Sequence, residues 1–209
     1  MDTSGGLRER KKLETRRRIA EAAAELFAEH GYANVAISRI AVAADVSEGT
    51  VFNYFPTKED LIFDGMEAYE DTLLEVVRSR APGTSVVDAF REHVLQPRGA
   101  LVANDPDMIE QIATIARVIA DSRQLRAREH EVIDRATNEL AEIIATERKA
   151  RPEDIEPWAI ANALMGVNRA TTRAVHHGAM KGRTGAQIAR TALAQARRTF
   201  DTLENGLGG

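Results

Sequence analysis

Residues Ile37–Glu59 read ISRIAVAADVSEGTVFNYFPTKE, and this stretch decides the fold. Ile40, Ala41 and Ala44 fall on one side of a short helix predicted over 37–44. Asp45 and Val46 then supply a turn. Ser47 is a good N-cap for a second short helix, Glu48 to Tyr54, and Glu48 puts negative charge in its first turn. Phe55-Pro56 stops that helix, because the residue before a proline is pushed out of the α region. Two short helices joined by a tight turn and anchored on a longer preceding helix make a helix-turn-helix.

The longer helix lies just upstream, from about Leu7 to His30. Ile19, Ala23, Leu26 and Phe27 form its apolar stripe, and Gly31 ends it, since glycine takes the left-handed conformation without a Cβ clash. Downstream, Thr57 and Asp60 are spaced as a variant capping box. The helix they open runs to about Arg80, with Leu61, Gly65, Tyr69, Leu73 and Val76–Val77 along one side, and Ala81-Pro82-Gly83 breaks it. Five more helices are predicted over about 85–103 (kinked or split at Pro97), 106–120, 122–149, 153–178 and 185–204. No β-hairpin signal appears. The expected architecture is all-α, about nine helices, with a helix-turn-helix domain over 7–56 and a helical body over 57–205. The ends, Met1–Gly6 and Asn205–Gly209, read as disordered.

The 209-residue chain has 44% hydrophobic and 29% charged residues and no cysteine. That suits a folded protein and excludes disulfides and thiolate metal sites. It shows no apolar run of membrane-span length and no apolar signal core, so a cytoplasmic location is expected. The net charge of −4 argues against indiscriminate nucleic-acid binding. Its distribution points the other way. Residues 7–18 hold seven basic residues against Glu9 and Glu14; residues 1–58 hold nine basic and eight acidic, and the rest 19 and 24. A basic end can face phosphate while an acidic body faces away.

The second short helix suits the major groove, which is about 12 Å wide and admits one α-helix. Gly49 permits close backbone approach, Thr50 and Tyr54 carry hydroxyls for phosphate or base edges, and Asn53 matches adenine with a donor and an acceptor. Val51 and Phe55 are expected to face the core and Phe52 the groove or its rim. With Val46-Ser47-Glu48-Gly49-Thr50-Val51-Phe52-Asn53-Tyr54-Phe55-Pro56-Thr57-Lys58-Glu59-Asp60-Leu61, preceded by Ile19-Ala20, Leu26-Phe27, Gly31-Tyr32 and Ile40-Ala41, the chain resembles the TetR family of bacterial one-component regulators over residues 12–72. The resemblance implies that Ser47–Tyr54 is a recognition helix, that Thr50, Asn53 and Tyr54 contact DNA, and that Lys58 holds a phosphate. Many family members have Thr-Thr where this chain has Val35-Ala36, so a contact there falls to Ser38, Arg39 or backbone amides. The candidate DNA-binding set is Arg16, Ser38, Arg39, Ser47, Glu48, Gly49, Thr50, Phe52, Asn53, Tyr54 and Lys58.

Catalysis finds no support in the sequence. His30, His93, His130, His176 and His177 form no H-E-x-x-H or Glu-x-x-His pattern, and no nucleophile elbow, P-loop or G-x-G-x-x-G occurs. No catalytic residue, cofactor or metal is expected. His176-His177 is read as a helix end, where the dipole favours it. A small-molecule effector is expected in the middle body, near Tyr69, Phe90, His93, Met108, Ile112, Trp158, Asn162 and Met165, mostly apolar positions. The helix over 153–178 is rich in small residues, and the last helix spaces Ala186, Ala189, Leu193, Ala196, Phe200, Leu203 and Leu207 as a coiled-coil-like seam. The resemblance assigns these helices to a homodimer interface, with Ala163, Gly166, Ala170, Ala189, Leu193, Ala196, Phe200 and Leu203 as candidates. The expected function is a homodimeric repressor released from a palindromic operator by a ligand. A ligand-independent DNA-binding protein and an enzyme fused to a helix-turn-helix are the alternatives.

Overall fold

In the computed structural model, residues 3–206 are described, and side chains from Arg8 onward except Glu9. The described residues form ten α-helices, one 3-10 turn and no strand. They are α1 (Thr3–His30), α2 (Ile37–Ala43), α3 (Glu48–Tyr54), α4 (Asp60–Arg78), α5 (Val86–Leu95), α6 (Ala100–Ala103), α7 (Pro106–Asp121), α8 (Arg123–Arg148), α9 (Glu156–Met180) and α10 (Gly185–Glu204). One more helix forms than the sequence suggests, because the chain splits at Pro97 into α5 and α6. Helix α1 begins at Thr3, so residues 3–6 are helical where disorder was expected; Leu207 lies outside the described residues.

Contacts divide the chain into two compact units, Met1–Gly65 with Thr114–Arg128, and Met66–Ala113 with Glu129–Gly209. In the first unit, Ile19, Ala23, Phe27, Ile40, Ala44, Val51, Phe55 and Phe63 are fully or almost fully buried. Burying each large side chain contributes roughly 1.5–3 kcal/mol, enough to hold two seven-residue helices that would not persist alone. The ends are set as the sequence suggests. Gly31 has φ +78°, and its amide bonds to Phe27 O at 2.9 Å. Thr57 and Asp60 cap each other reciprocally, at 2.8 and 3.2 Å. Ala36, the N-cap of α2, offers no side-chain acceptor, as the missing hydroxyl implied.

The second unit has its core where Leu73, Leu74 and Val77 of α4 meet Phe90 and Val94 of α5, Ile133, Ala136, Leu140 and Ile144 of α8, Ala161, Leu164 and Met165 of α9, and Ala196 and Phe200 of α10. On α4 the inward residue is Leu74, while Val76 is 36% exposed, so the stripe runs one position away from the predicted Val76. Helix α8 stops at Arg148 because Lys149 takes a left-handed φ of +51°. Helix α9 starts three residues later than predicted. Asp154 instead closes a turn on the Arg151 amide at 2.7 Å, and Pro157 occupies the first helical turn, where its missing N–H costs nothing.

Helix α9 continues past Gly178 to Met180, with His177 in its last turn and His176 just before it. Gly178 serves close packing: a Cβ there would sit 2.8 Å from Ile188 Cγ1 of α10. No helix among the described residues is long and apolar enough to cross a membrane.

Candidate nucleic-acid interface

Helix α3 is fixed from below. Val51 and Phe55 are 0% and 1% exposed, as expected, and anchor it in the core of the first unit. Its N-terminus is closed by Ser47, whose Oγ accepts the Thr50 amide at 3.0 Å and lies 2.8 Å from Thr50 Oγ1. Ser47 therefore caps the helix, as its position implies, and the Thr50 hydroxyl bonds to that cap. Glu48, Gly49, Phe52 and Asn53 make up its exposed face, with Tyr54 half-buried at the end. Phe52 is 46% exposed. On α2, Ser38 and Arg39 are exposed, and Arg39 Nη2 lies 2.6 Å from His30 Nε2. The basic residues Arg8, Arg10, Lys11, Lys12, Arg17 and Arg18 are exposed on α1.

Two cations of the candidate DNA-binding set, Arg16 and Lys58, have partners within the fold. Arg16 donates Nε to Asp64 Oδ2 at 3.0 Å, Nη2 to Asp64 Oδ1, and Nη1 to the Tyr54 carbonyl at 2.9 Å. Its guanidinium also lies 4.5 Å above the Phe55 ring. Every nitrogen of the group thus has a partner inside the first unit. Lys58 donates Nζ to the Tyr32 carbonyl at 2.5 Å and sits 4.3 and 5.4 Å from the Tyr32 and Phe27 rings. Burial lowers its pKa. The Tyr32 phenol is pushed upward by burial and by Glu59. Asp64 carried no signal in the sequence reading, because a carboxylate in the second turn of an amphipathic helix looks like an ordinary solvated charge.

The second unit holds a buried polar cluster. Tyr69 Oη donates to Asn168 Oδ1 at 2.9 Å, and Asn168 Nδ2 donates to Glu70 Oε1 at 3.1 Å. Glu70 is 4% and Asn168 2% exposed. Burial lifts the Glu70 carboxyl to about 7, against the opposing Asn168 bond and the Arg135 charge. The Tyr69 and His93 rings stand 5.7 Å apart at 43°. His93 is 6% exposed, and its buried Nε2 has no hydrogen-bond partner. Burial first, then the Arg98 charge, hold its pKa down at about 4. Burial likewise lowers the pKa of His176.

Of the expected effector residues, Tyr69 and His93 belong to this cluster, and Phe90 and Met165 lie in the adjoining core. Ile112 packs on a smaller cluster formed by Ala100, Ile109, Ala113, Ala179 and Ile188. Met108 and Trp158 are 39% and 57% exposed, and Asn162 is exposed with its amide on Trp158 O, so these three are corrected: they face outward. Glu70 and Asn168 were missed. Glu70 had a signal, since it stands three, four and seven residues before Leu73, Leu74 and Val77, a core position held by a carboxylate. An open groove of the same unit is lined by Arg78, Arg80, Glu139, Glu142, Ile143, Thr146 and Glu147, none of them an expected effector residue.

The expected partner face divides. Ala163, Gly166 and Ala170 are exposed on α9, and a Cβ on Gly166 would meet nothing within 4 Å. On α10, Ala189, Leu193 and Leu203 are half-buried. Ala196 and Phe200 are 3% and 1% exposed, and Phe200 packs edge-on against Phe90 at 6.4 Å. Those two are corrected: the seam turns into its own subunit there, because α10 closes the core.

Residues 19–64 match the model of the family described as bacterial regulatory proteins, tetR family. Over 85 residues the chain is 32% identical to the transcriptional regulator TcmR of Streptomyces glaucescens, covering 41% of this chain and 38% of TcmR. Over 130 residues it is 27% identical to the fatty acid metabolism regulator protein of Bacillus subtilis, covering 60% and 64%. It thus spans less than two thirds of these curated relatives. The fold resembles that of the fatty acid degradation regulator FadR of Bacillus halodurans, with a TM-score of 0.56 and 22% identity over 93% and 96% of the two chains.

Proposed function

We propose that the chain, whose residues 19–64 match the family of TetR-type bacterial transcriptional regulators, is a homodimeric repressor of that family that leaves a palindromic operator when a small molecule binds its second unit. The carrying observation is the exposed face of α3. Glu48, Gly49, Phe52 and Asn53 stand outward on a helix whose inner side is locked by Val51 and Phe55. Such a rigid, short helix fits the major groove, with base edges within reach of Asn53 and Phe52. One helix of this size gives limited affinity, and a second subunit supplies the rest when two half-sites lie about one turn apart.

The effector reading rests on the buried polar cluster. A buried nitrogen without a partner costs about 1–3 kcal/mol, and a ligand that reaches it removes that cost. His93 Nε2, on the ring beside Tyr69, is the polar end such a ligand meets, with Phe90 and Met165 of the core supplying apolar surroundings. By linkage, a ligand that weakens DNA binding is itself bound more weakly by the DNA complex, by the same factor. The partner face consists of the exposed α9 residues Ala163, Gly166 and Ala170.

Selection of duplexes from a random pool by the full chain tests the DNA reading. An enriched inverted repeat, bound as two chains per site, is the expected result. A pool that stays unenriched overturns it.

A further inference from the structure

We propose that Arg16 and Asp64 are a positioning pair for DNA recognition, which aims the C-terminal half of α3 without touching DNA. The proposal rests on the reading of α3 as the recognition helix. Three points fix that helix. Ser47 caps its start, Val51 pins its middle, and the end is held by Arg16, whose Nη1 donates to the carbonyl of Tyr54, the last helical residue. A terminal carbonyl has no partner within its own helix, and a cation there also opposes the helix dipole favourably. Arg16 can serve because its planar fork is itself set by both oxygens of Asp64 on α4 and lies over the Phe55 ring. Phe52 and Asn53, the exposed side chains, belong to the two residues just before that carbonyl. Base readout needs them held to a fraction of an ångström, which calls for locked supporting residues.

Asp64 makes the proposal sharp. It is a half-exposed carboxylate in a domain that has to approach phosphate. If Arg16 instead served as a phosphate contact, Asp64 would only compete for it. Neutralising Asp64 would then free the guanidinium and strengthen binding to every sequence. If the two form a positioning pair, neutralising Asp64 lowers selectivity.

The test compares Arg16→Gln, Arg16→Lys, Asp64→Asn and the Arg16→Gln/Asp64→Asn double variant of the full chain. Each is measured on the duplex enriched by the wild-type chain and on a scrambled duplex, across a salt series. Circular dichroism and melting show which variants remain folded. The expected result is a loss of tenfold or more on the enriched duplex for each single variant, with scrambled binding unchanged. The double variant falls no further than the worse single, and the slope of log K against log salt stays the same. Arg16→Lys keeps the charge yet loses the fork, so it loses selectivity too, and as the mildest change it keeps the test decisive if Arg16→Gln unfolds. The proposal is overturned if Arg16→Gln weakens both duplexes alike and flattens the slope by roughly 0.9, the signature of one lost phosphate contact. It is equally overturned if Asp64→Asn tightens both duplexes or leaves selectivity intact. A wild-type chain that enriches no duplex overturns the recognition-helix reading and the pair's role with it.

Discussion

Asn53 is exposed on α3 and carries a donor and an acceptor in one plane, the complement of the adenine N6 and N7 edge. Replacing it with alanine is expected to cost about 1–3 kcal/mol on the enriched duplex and to relax the preference at one base position. Repeating the duplex selection with Asn53→Ala checks this, and an unaltered consensus would remove Asn53 from base reading. In the second unit, Glu70 and His93 pull stability in opposite directions with pH. The Glu70 carboxyl titrates near 7 in the fold and near 4.5 when unfolded. The folded state therefore holds more protons between those values, and stability falls as pH rises through them, by roughly 3 kcal/mol in all. His93 titrates near 4 in the fold and near 6.5 when unfolded. There the unfolded state holds more protons, and stability rises with pH over that window. The two slopes nearly cancel between pH 4.5 and 6.5. The other charges around the cluster are Arg98, Arg135 and Asp71, with Tyr69 raised to about 12 and neutral throughout. Denaturant unfolding of the native chain should thus carry little net slope from this pair in this range, leaving the rise that the lowered His176 pKa adds. Relative to that profile, stability should rise more steeply with pH for Glu70→Gln and less steeply for His93→Phe. Parallel profiles for all three would show that the cluster is not buried in solution.

Two glycines of α9 separate what a helix needs for itself from what its neighbours need. Gly178 meets Ile188 so closely that an added methyl must displace a branched side chain near its backbone. Overpacking of this kind costs about 1–3 kcal/mol, more than the roughly 1 kcal/mol that alanine gains in helix propensity. Gly166 faces open space in its own chain. Gly166→Ala should raise the melting temperature of the subunit while Gly178→Ala lowers it, as read by circular dichroism in dilute solution. The same contrast explains what the sequence could reveal. Helices α3 and α10 are legible to the residue, since Ser47 and Thr184 cap them through local bonds. The ends of α8 and α9 were displaced because Lys149 and Asp154 settle into turns that no propensity distinguishes from another helical turn. The outward face of α3 could be read because Val51 and Phe55 announce the inward one. The roles of Arg16, Lys58 and Asp64 could not, because a long cation shows its partner only once distant helices meet. Phe200 misled for a related reason: an apolar seam is the same pattern whether it closes its own core or a partner's.

That ambiguity bears directly on assembly. Phe200 is a core residue of its subunit, so Phe200→Asp puts a charge among Phe90 and its neighbours and should unfold the second unit rather than dissociate a dimer of folded subunits. The faithful probe of a dimer is a residue that its own chain leaves bare. Ala159, Ala163, Gly166 and Ala170 fall at spacings of four, three and four on the exposed side of α9, a stripe without bulk that lets a second helix approach closely. Arginine at Ala163 is harmless to an isolated subunit, since substitutions on bare surface usually stay within about 0.5 kcal/mol. In a closely packed interface it places bulk and charge where neither fits, at a cost of several kcal/mol. Ala163→Arg should therefore melt like the native chain at low concentration and sediment as a monomer where the native chain sediments as a dimer. Its affinity for a full inverted repeat should drop toward that for a single half-site, because the second recognition helix no longer arrives with the first. A variant that remains dimeric and keeps native operator affinity would move the interface off α9. A native chain that is monomeric on DNA and off it would remove the dimer altogether.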